Sequence, residues 1–383
     1  MSESPPIHGH CEPQFEPVRA AFAANFAQGA EVGASVAVTL DGKPVVDLWA
    51  GDAADGNGEQ PASPWKEDTI VNVYSTTKTM AGLCMLMIAD RGLIDFDAPV
   101  ATYWPEFAAN GKEGVLVRHI MGHTSGLSGW DEQITETDLY NGTRSADLLA
   151  AQAPWWTPGD GSGYHAITLG SLQGEILRRV TGRTMGEFFA AEVAGPLGAD
   201  FHIGFGAEHD ARCGELVPPE GTLGDIDLPP EALPIRTLGN PKLTATEPRT
   251  RDWRAAEIPA AGGFGNARSV ARVHSAMACG GSVDGVELLS TAGVERVFDE
   301  QAHGIDRVLG TEIKFGMGFG LATDVMPLPN PRAFYWGGWG GSIAVTDMDA
   351  RMSVSYVMNK MFPTLEGDLR GGMLLLAAYG ALG

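Results

Sequence analysis

Runs of apolar residues typical of β-strands occur in two separate parts of the chain, near its start and near its end. Residues 34–40 and 44–49 are predicted strands, and the Asp41-Gly42 pair between them predicts a tight hairpin turn. Residues 343–347 alternate between apolar and polar positions, and residues 352–358 follow as another predicted strand. We therefore expect one antiparallel sheet with contributions from both parts of the chain.

Elsewhere the apolar residues repeat every three or four positions, which predicts helices. Residues 13–28 carry four apolar side chains on one stripe, and residues 368–382 form a predicted last helix. The other predicted helices are residues 76–91, 117–122, 145–152, 168–181 and 185–193.

This order of elements predicts an α+β fold, in which an antiparallel sheet is flanked by helices and carries an inserted all-helical domain. Residues 1–94 and 243–383 are predicted to form the sheet domain, and residues 95–242 the mainly helical insertion. Within and beyond the insertion, residues 218–259 are rich in Pro, Gly and acidic residues and have few periodic apolar positions. A long irregular segment of this kind is usually the wall or lid of a site.

Composition and charge exclude several classes of partner. The chain has 383 residues, 44% of them hydrophobic and 19% charged, with a formal net charge of −22. So strong a negative charge argues against nucleic acid and against anionic membrane surfaces as partners. Residues 1–6 lack the features of a signal peptide, and no apolar run approaches membrane-spanning length. Four cysteines are scattered without a Cys-x-x-Cys pair, which predicts reduced thiols and a cytoplasmic location.

A serine and a lysine mark the point where a predicted strand, residues 69–73, gives way to a helix without a polar face. Ser75 and Lys78 are three residues apart and therefore lie on one face of that helix. A serine hydroxyl becomes a good nucleophile only when a neighbour takes its proton. Burial and the positive end of the helix dipole both lower the pKa of a lysine, so that Lys78 could do this. The alternative is a capping serine beside an exposed lysine.

The same spacing occurs a second time, at Ser63 and Lys66. This pair lies in a proline-containing loop, with no buried helix to hold the two side chains together. We interpret it as a chance match.

Tyr164 lies in a glycine-rich loop, residues 158–166, that runs into a predicted helix. A side chain at such a junction can point into a cleft. A lysine cation beside a phenol favours the phenolate, which can accept the serine proton and later return it to a leaving group. The alternative is a tyrosine that packs against the helix start.

Residues 335–342 read Tyr-Trp-Gly-Gly-Trp-Gly-Gly-Ser and precede the strand at residues 343–347. Glycines allow a ligand to approach the backbone closely. We expect a glycine-lined edge strand here, whose free N–H groups form one half of an oxyanion hole, with the N–H of Ser75 as the other half. The alternative is a glycine-rich turn between strands.

Taken in this order along the chain, the three motifs resemble those of the serine β-lactamase and penicillin-binding protein superfamily. The resemblance is greatest to class C β-lactamases and to their esterase relatives, the family VIII carboxylesterases. Residues 116–127, Leu-Val-Arg-His-Ile-Met-Gly-His-Thr-Ser-Gly-Leu, also resemble that group. The similarity spans roughly residues 34–358 and implies the β-lactamase/transpeptidase-like fold.

The resemblance implies a role for each matching residue. Ser75 would be the nucleophile, Lys78 the lysine that activates it, and Tyr164 the general base and acid. Residues 336–338, Trp336-Gly337-Gly338, occupy the place of the family's Lys-Thr-Gly and would contact substrate. The backbone N–H groups of Ser75 and Trp339 would form the oxyanion hole. Whether Lys78 or Tyr164 is the true base stays open at this point.

Two departures from the class C pattern favour an esterase. Ala166 stands where those enzymes have Asn, and Trp336 replaces a Lys. We therefore predict a cofactor-free serine hydrolase that cleaves short-chain, small-molecule carboxylic esters through an acyl-enzyme. The alternatives are a β-lactamase or D-amino-acid peptidase, an acyltransferase, and a binding protein without turnover.

Other catalytic chemistry lacks its sequence signals. There is no Gly-x-Ser-x-Gly, no His-Glu-x-x-His and no Cys/His cluster, so we predict neither an α/β-hydrolase elbow nor a metal site. His165 adjoins Tyr164 but is expected to point elsewhere, and His123 is expected to satisfy local backbone groups.

Overall fold

A computed structural model describes residues 4–54, 56–58, 60–219, 227–365 and 367–383. The strands are β1 His8–Cys11, β2 Gly33–Leu40, β3 Lys43–Ala54, β4 Ser63–Pro64, β5 Val71–Asn72, β6 His202–Ile203, β7 Gly263–Gly265, β8 Ser282–Val283, β9 Val286–Glu287, β10 Ala302–Ile305, β11 Glu312–Phe315, β12 Gly320–Leu321, β13 Ala333–Gly337, β14 Ile343–Asp347 and β15 Met352–Met358. The α-helices are α1 Glu16–Ala27, α2 Thr77–Asp90, α3 Val117–Met121, α4 Glu136–Tyr140, α5 Gly142–Ala151, α6 Thr168–Thr181, α7 Met185–Phe189, α8 Gly195–Leu197, α9 Leu233–Leu238, α10 Arg251–Ala255, α11 Ala267–Ala278, α12 Thr291–Glu295 and α13 Leu369–Gly380.

One antiparallel sheet joins the two ends of the chain. Its strand order is β1-β3-β2-β15-β14-β13-β12-β11-β10, and β4 pairs with β3. The strands from the start of the chain meet those from its end where β2 pairs with β15, with Val36 opposite Tyr356. The predicted hairpin, β2–β3, and the predicted pair β14–β15 are both present.

Helices cover both faces of this sheet because neighbouring side chains of a strand point to opposite sides. On one face α11 packs against β2 and β15, where Ser35 Oγ accepts a hydrogen bond from the Ala267 N–H and Ser353 Oγ donates to Ala271 O. On the other face, the Tyr356 ring lies beside Arg370 of α13, and α13 packs against α1. The sheet is therefore the middle of three layers.

Helix α2 is buried around its whole circumference from Thr77 to Ile88, as its lack of polar residues predicts. It packs against α6, α7 and α12. A short 3-10 turn, Tyr74–Thr76, precedes it and begins two residues after β5, which pairs with β7 in a separate small sheet. The first turn of the buried helix thus lies between that small sheet and the helices around α2.

The region predicted to be a helical insertion, residues 95–242, contains α3 to α9 among its described residues. It also contains the short strand β6, which pairs with β7 from outside the region. The division of the chain into two domains stays a prediction. In the predicted wall segment, residues 218–259, the structure places α9 and α10, and residues 220–226 lie outside the described residues.

Among the helices that the structure describes, none is both long and apolar enough to cross a bilayer.

Candidate active site

The turn that opens α2 brings Ser75 and Lys78 together. Lys78 Nζ lies 2.9 Å from Ser75 Oγ, and the two side chains are 2% and 7% exposed. Tyr74, directly before Ser75, has a positive φ of 43°, a strained conformation for a residue with a side chain. Strain of this kind persists only where the surrounding packing holds it.

Two peptide carbonyl groups fix the amino group of Lys78. It donates to Ala166 O at 2.6 Å and to Ala260 O at 2.9 Å, and no carboxylate among the described residues pairs with it. Burial without a counter-ion lowers the pKa of Lys78 well below 10.5. The neutral amine fits this arrangement, because its two N–H groups satisfy the carbonyls and its lone pair is left for Ser75.

Tyr164 completes a triangle around the serine oxygen. Its hydroxyl group lies 2.6 Å from Ser75 Oγ, and Lys78 Nζ lies 4.8 Å from the centre of its ring. Tyr164 is separated from Ser75 by 89 residues, so the fold alone creates this contact.

A buried carboxylate that the sequence reasoning missed holds the backbone of Tyr164. Asp306 Oδ1 accepts from the Tyr164 N–H at 3.0 Å and from the N–H groups of Val308 and Leu309 at 2.9 Å. Asp306 is fully buried in the loop after β10. A single aspartate in a loop carries no periodic signal, so only the structure could reveal it.

The expectation that residues 335–342 form an edge strand is wrong. Strand β13 lies between β12 and β14 in the sheet. However, β12 is only two residues long and pairs with Phe334 and Tyr335. Beyond that point, no strand among the described residues pairs with Trp336 and Gly337 on that side, which leaves the local opening that the prediction required.

The glycine turn after β13 is fastened to the turn that carries the serine. A Cβ atom on Gly338 would overlap Val73 O, so the two backbones meet at a distance that only glycine permits. Ser342 Oγ donates to Val73 O at 3.0 Å and lies 3.0 Å from Thr76 Oγ1. Val73 and Thr76, which lie on either side of Tyr74-Ser75, therefore both contact this turn.

Two backbone N–H groups are available at this junction. Neither the N–H of Ser75 nor that of Trp339 donates to a protein acceptor in the part of the chain that the structure describes. The Trp339 ring lies 5.1 Å from the Tyr74 ring, next to Ser75. The arrangement suits a negatively charged oxygen that forms beside Ser75.

The histidines near Tyr164 are occupied elsewhere, as expected. His165 has one ring nitrogen 2.7 Å from Ser125 Oγ and the other 2.6 Å from Gly163 O, and burial lowers its pKa to about 4. His123 Nδ1 accepts from the His165 backbone N–H at 2.9 Å. No contact between either ring and Ser75 is found among the described residues.

Comparison with known proteins places the chain in a family. The family model described as Beta-lactamase matches residues 18–378. This chain belongs to the β-lactamase family. Its similarity to the family VIII carboxylesterases and the predicted β-lactamase/transpeptidase-like fold are both confirmed by the relatives that follow.

Three relatives of this β-lactamase family member cover nearly the whole chain. The "Esterase/beta-lactamase LipL" of Mycobacterium tuberculosis is 36% identical over 94% of this chain and 84% of its own length. A solved family VIII carboxylesterase is 42% identical, with a TM-score of 0.92 over 98% of this chain and 100% of that one. A penicillin-binding protein homologue from Caulobacter crescentus is 37% identical, with a TM-score of 0.91 over the same shares of both chains.

In this family member, the wall next to the serine is aromatic where the class C pattern has a lysine. The Trp336 ring lies 5.4 Å from the rings of Tyr164 and Phe315, and it is almost fully buried. The indole N–H of Trp336 has no hydrogen-bond partner among the described residues. The residue in the place of the lysine is therefore an aromatic ring with one neutral N–H group, and it brings no positive charge.

A cavity of about 620 Å³ lies near the site, although Ser75, Lys78 and Tyr164 do not line it. Its lining includes Ile167 and Pro259, which are the sequence neighbours of Ala166 and Ala260. Tyr140 and Met185 line the same space. It lies among the helical region and the segment before β7.

Proposed function

We propose that this protein is a serine carboxylesterase that cleaves small neutral esters through an acyl-enzyme on Ser75. The observation that carries the proposal is the buried triangle in which Lys78 Nζ and Tyr164 OH lie 2.9 and 2.6 Å from Ser75 Oγ. Nucleophile, base and acid must lie within such distances for proton transfer. The similarity to LipL, an esterase/β-lactamase, and to a family VIII carboxylesterase supports the same activity.

Lys78 is the group that we assign as the base in acylation. Burial favours its neutral form, and the carbonyl groups of Ala166 and Ala260 occupy its two N–H groups. The Ser75 proton passes to Lys78 Nζ as Ser75 Oγ attacks the ester carbonyl carbon. The N–H groups of Ser75 and Trp339 then bind the oxyanion, an interaction that typically supplies a large part of the catalysis.

Tyr164 is the group that we assign as the acid. When the tetrahedral intermediate collapses, the leaving alkoxide takes the phenol proton of Tyr164, and the Lys78 ammonium stabilises the phenolate. In deacylation the phenolate takes a proton from the attacking water. Ser75 then recovers its proton from Lys78, so all three groups return to their starting state.

The pH dependence of the reaction should reflect the ionisation of the Lys78 amino group. Burial lowers the pKa of Lys78 well below 10.5, and only the neutral amine accepts the Ser75 proton. We therefore expect kcat/KM for a neutral ester to fall as the pH decreases through that lowered pKa. A profile measured on the pure protein that rises only near 10.5, the value of a solvated lysine, would contradict the assignment.

We expect Trp336 to make the enzyme prefer neutral esters over anionic β-lactams. A lysine facing a substrate carboxylate forms a charge-assisted hydrogen bond worth about 1.5–3 kcal/mol, which an indole cannot make. Ala166 also lacks the amide that would hold a lactam or peptide. We therefore expect p-nitrophenyl butyrate to have a kcat/KM at least roughly tenfold above that of the anionic β-lactam nitrocefin.

Both substrates should be measured on one preparation. A nitrocefin value equal to or above the ester value would favour the β-lactamase alternative. Alcohols added to the same assay test the acyltransferase alternative, because a transferred acyl group appears as a new ester.

We also infer a cytoplasmic location for the protein. All four cysteines are free thiols, and two of them, Cys84 and Cys213, are buried. Free thiols persist in a reducing compartment. Immunodetection in fractionated cells of the source organism tests this inference.

A further inference from the structure

The turn that carries Trp339 is held by an arginine from the last helix. The guanidinium of Arg370 donates to Gly340 O at 2.7 Å. The same carbonyl oxygen accepts from the Phe362 N–H at 3.0 Å, and the Gly340 N–H donates to Thr364 O at 3.0 Å. The two peptide groups that follow Trp339 are thus fixed from outside the turn, the first through the Gly340 N–H and the second through Gly340 O.

The turn also has internal hydrogen bonds that transmit this restraint. The Gly341 N–H donates to Gly338 O at 3.1 Å, and the Gly338 N–H donates to Ser342 O at 2.8 Å. Gly340 and Gly341 have φ values of +101° and +124°, which residues with side chains rarely adopt. Because glycines leave a backbone flexible, outside contacts must hold such a turn in a single conformation.

Arg370 is itself immobilised by buried charges. Its guanidinium pairs with Asp368 at 2.7 Å and with Glu31 at 3.2 Å, and it donates to Lys360 O at 2.8 Å. The side chain of Arg370 is 3% exposed, and its guanidinium lies 3.9 Å from the centre of the Phe362 ring. The N–H groups of the planar guanidinium all have partners, so the guanidinium has little freedom to move.

The cluster of Arg370, Asp368 and Glu31 lies directly against the turn. A Cβ atom on Gly341 would overlap Asp368 Oδ2 and would lie 2.6 Å from an Arg370 nitrogen. A small movement of the guanidinium would therefore displace the turn and, with it, the Trp339 N–H.

We propose that Arg370 is a positioning residue for the oxyanion hole, which fixes the Trp339 N–H by holding Gly340 O. This inference rests on the proposed function, since the hole matters only if Ser75 is acylated. Arg370 contacts no reacting atom, and its effect should appear in the transition state rather than in substrate binding.

The test compares Arg370→Lys with Glu31→Gln. Lysine keeps the positive charge, but its compact ammonium group cannot donate to Gly340 O, Lys360 O and the carboxylates at the same time, as the planar guanidinium does. Glu31→Gln keeps one side-chain oxygen that can accept from Arg370 and replaces the other oxygen, next to Tyr356, by an amide nitrogen, so the contact of Arg370 with Gly340 O is expected to remain. Both variants should lower the temperature of unfolding, which controls for a merely structural role.

The decisive readout is the ratio of kcat/KM for an ester and for the matched thionoester. Sulfur is larger and a weaker acceptor than oxygen, so a well-positioned hole discriminates strongly between the two. We expect Arg370→Lys to lower kcat for the ester about tenfold or more, with KM nearly unchanged, and to reduce the ratio. Glu31→Gln should leave the ratio at the wild-type value.

Two results would overturn the inference. One is an Arg370→Lys variant that keeps the wild-type kcat and ratio, and the other is an equal loss of ratio in Glu31→Gln. If Arg370→Lys does not fold, the double variant Arg370→Gln/Glu31→Gln removes the charge pair together and is measured in the same way. A wild-type protein without ester hydrolysis or acylation of Ser75 would instead reject the proposed function itself.

Discussion

Ser75→Ala is expected to lower kcat for a neutral ester by about 10⁴-fold or more while the protein stays folded, as removal of a serine nucleophile does in other hydrolases. The reason is that Ser75 Oγ is the atom on which both Lys78 Nζ and Tyr164 OH converge. The loss should appear in kcat, because no other group can form the acyl-enzyme. Steady-state kinetics and a thermal unfolding curve on the same preparation measure both parts of this expectation.

The chain supplies a matched control for this experiment in Ser63. It has a lysine at the same spacing, but it lies in β4 at the end of the sheet, paired with Ala54 of β3. Ser63→Ala should therefore keep wild-type kcat. Equal losses in the two variants would show that the assignment of Ser75 is wrong.

The second large effect is expected from the proton carriers. Lys78→Ala and Tyr164→Phe should each lower kcat severely, by about 10³-fold or more, because each breaks the proton path through Ser75. Groups that act as one unit show strongly non-additive losses. The double variant should therefore be little worse than either single variant.

Kinetics of the four proteins, the wild type included, form a double-mutant cycle that measures this coupling. If the losses of kcat in the two single variants multiply in the double variant, Lys78 and Tyr164 do not share a proton path.

Mass spectrometry after reaction with a slow ester should locate the acyl group on Ser75. Lys78→Ala should show little of this adduct, since it lacks the base that starts acylation.

Much of this fold was predictable because its elements carry local periodic signals. The predicted strands at residues 343–347 and 352–358 and the predicted helix at residues 168–181 agree with β14, β15 and α6 at both ends. The buried character of α2 follows from its uninterrupted run of apolar residues from Met80 to Ile88. Such patterns depend only on residues that are close together in sequence.

Other elements were not predicted. Helix α11 carries Arg268 and Arg272 on one side, and its other residues, including Ser269 and Ser275, are buried against β2 and β15. Strands β10, β11 and β12 are two to four residues long, and β12 contains a glycine. Pairing with neighbouring strands of the sheet, rather than intrinsic β-propensity, stabilises such short strands.

Sequence by itself determined the pairing of Ser75 with Lys78, because two residues three apart on a helix must share a face. It also determined, through Trp336 and Ala166, that a cation and an amide of the class C pattern are absent. Only the tertiary structure decided that Tyr164 reaches Ser75 across 89 residues, and that Ala260 O, 182 residues away from Lys78, holds its amino group. Only the tertiary structure, likewise, decided that the Arg370 guanidinium donates to Gly340 O. These contacts are set by how whole layers pack, and packing between distant segments leaves no periodic trace in the sequence.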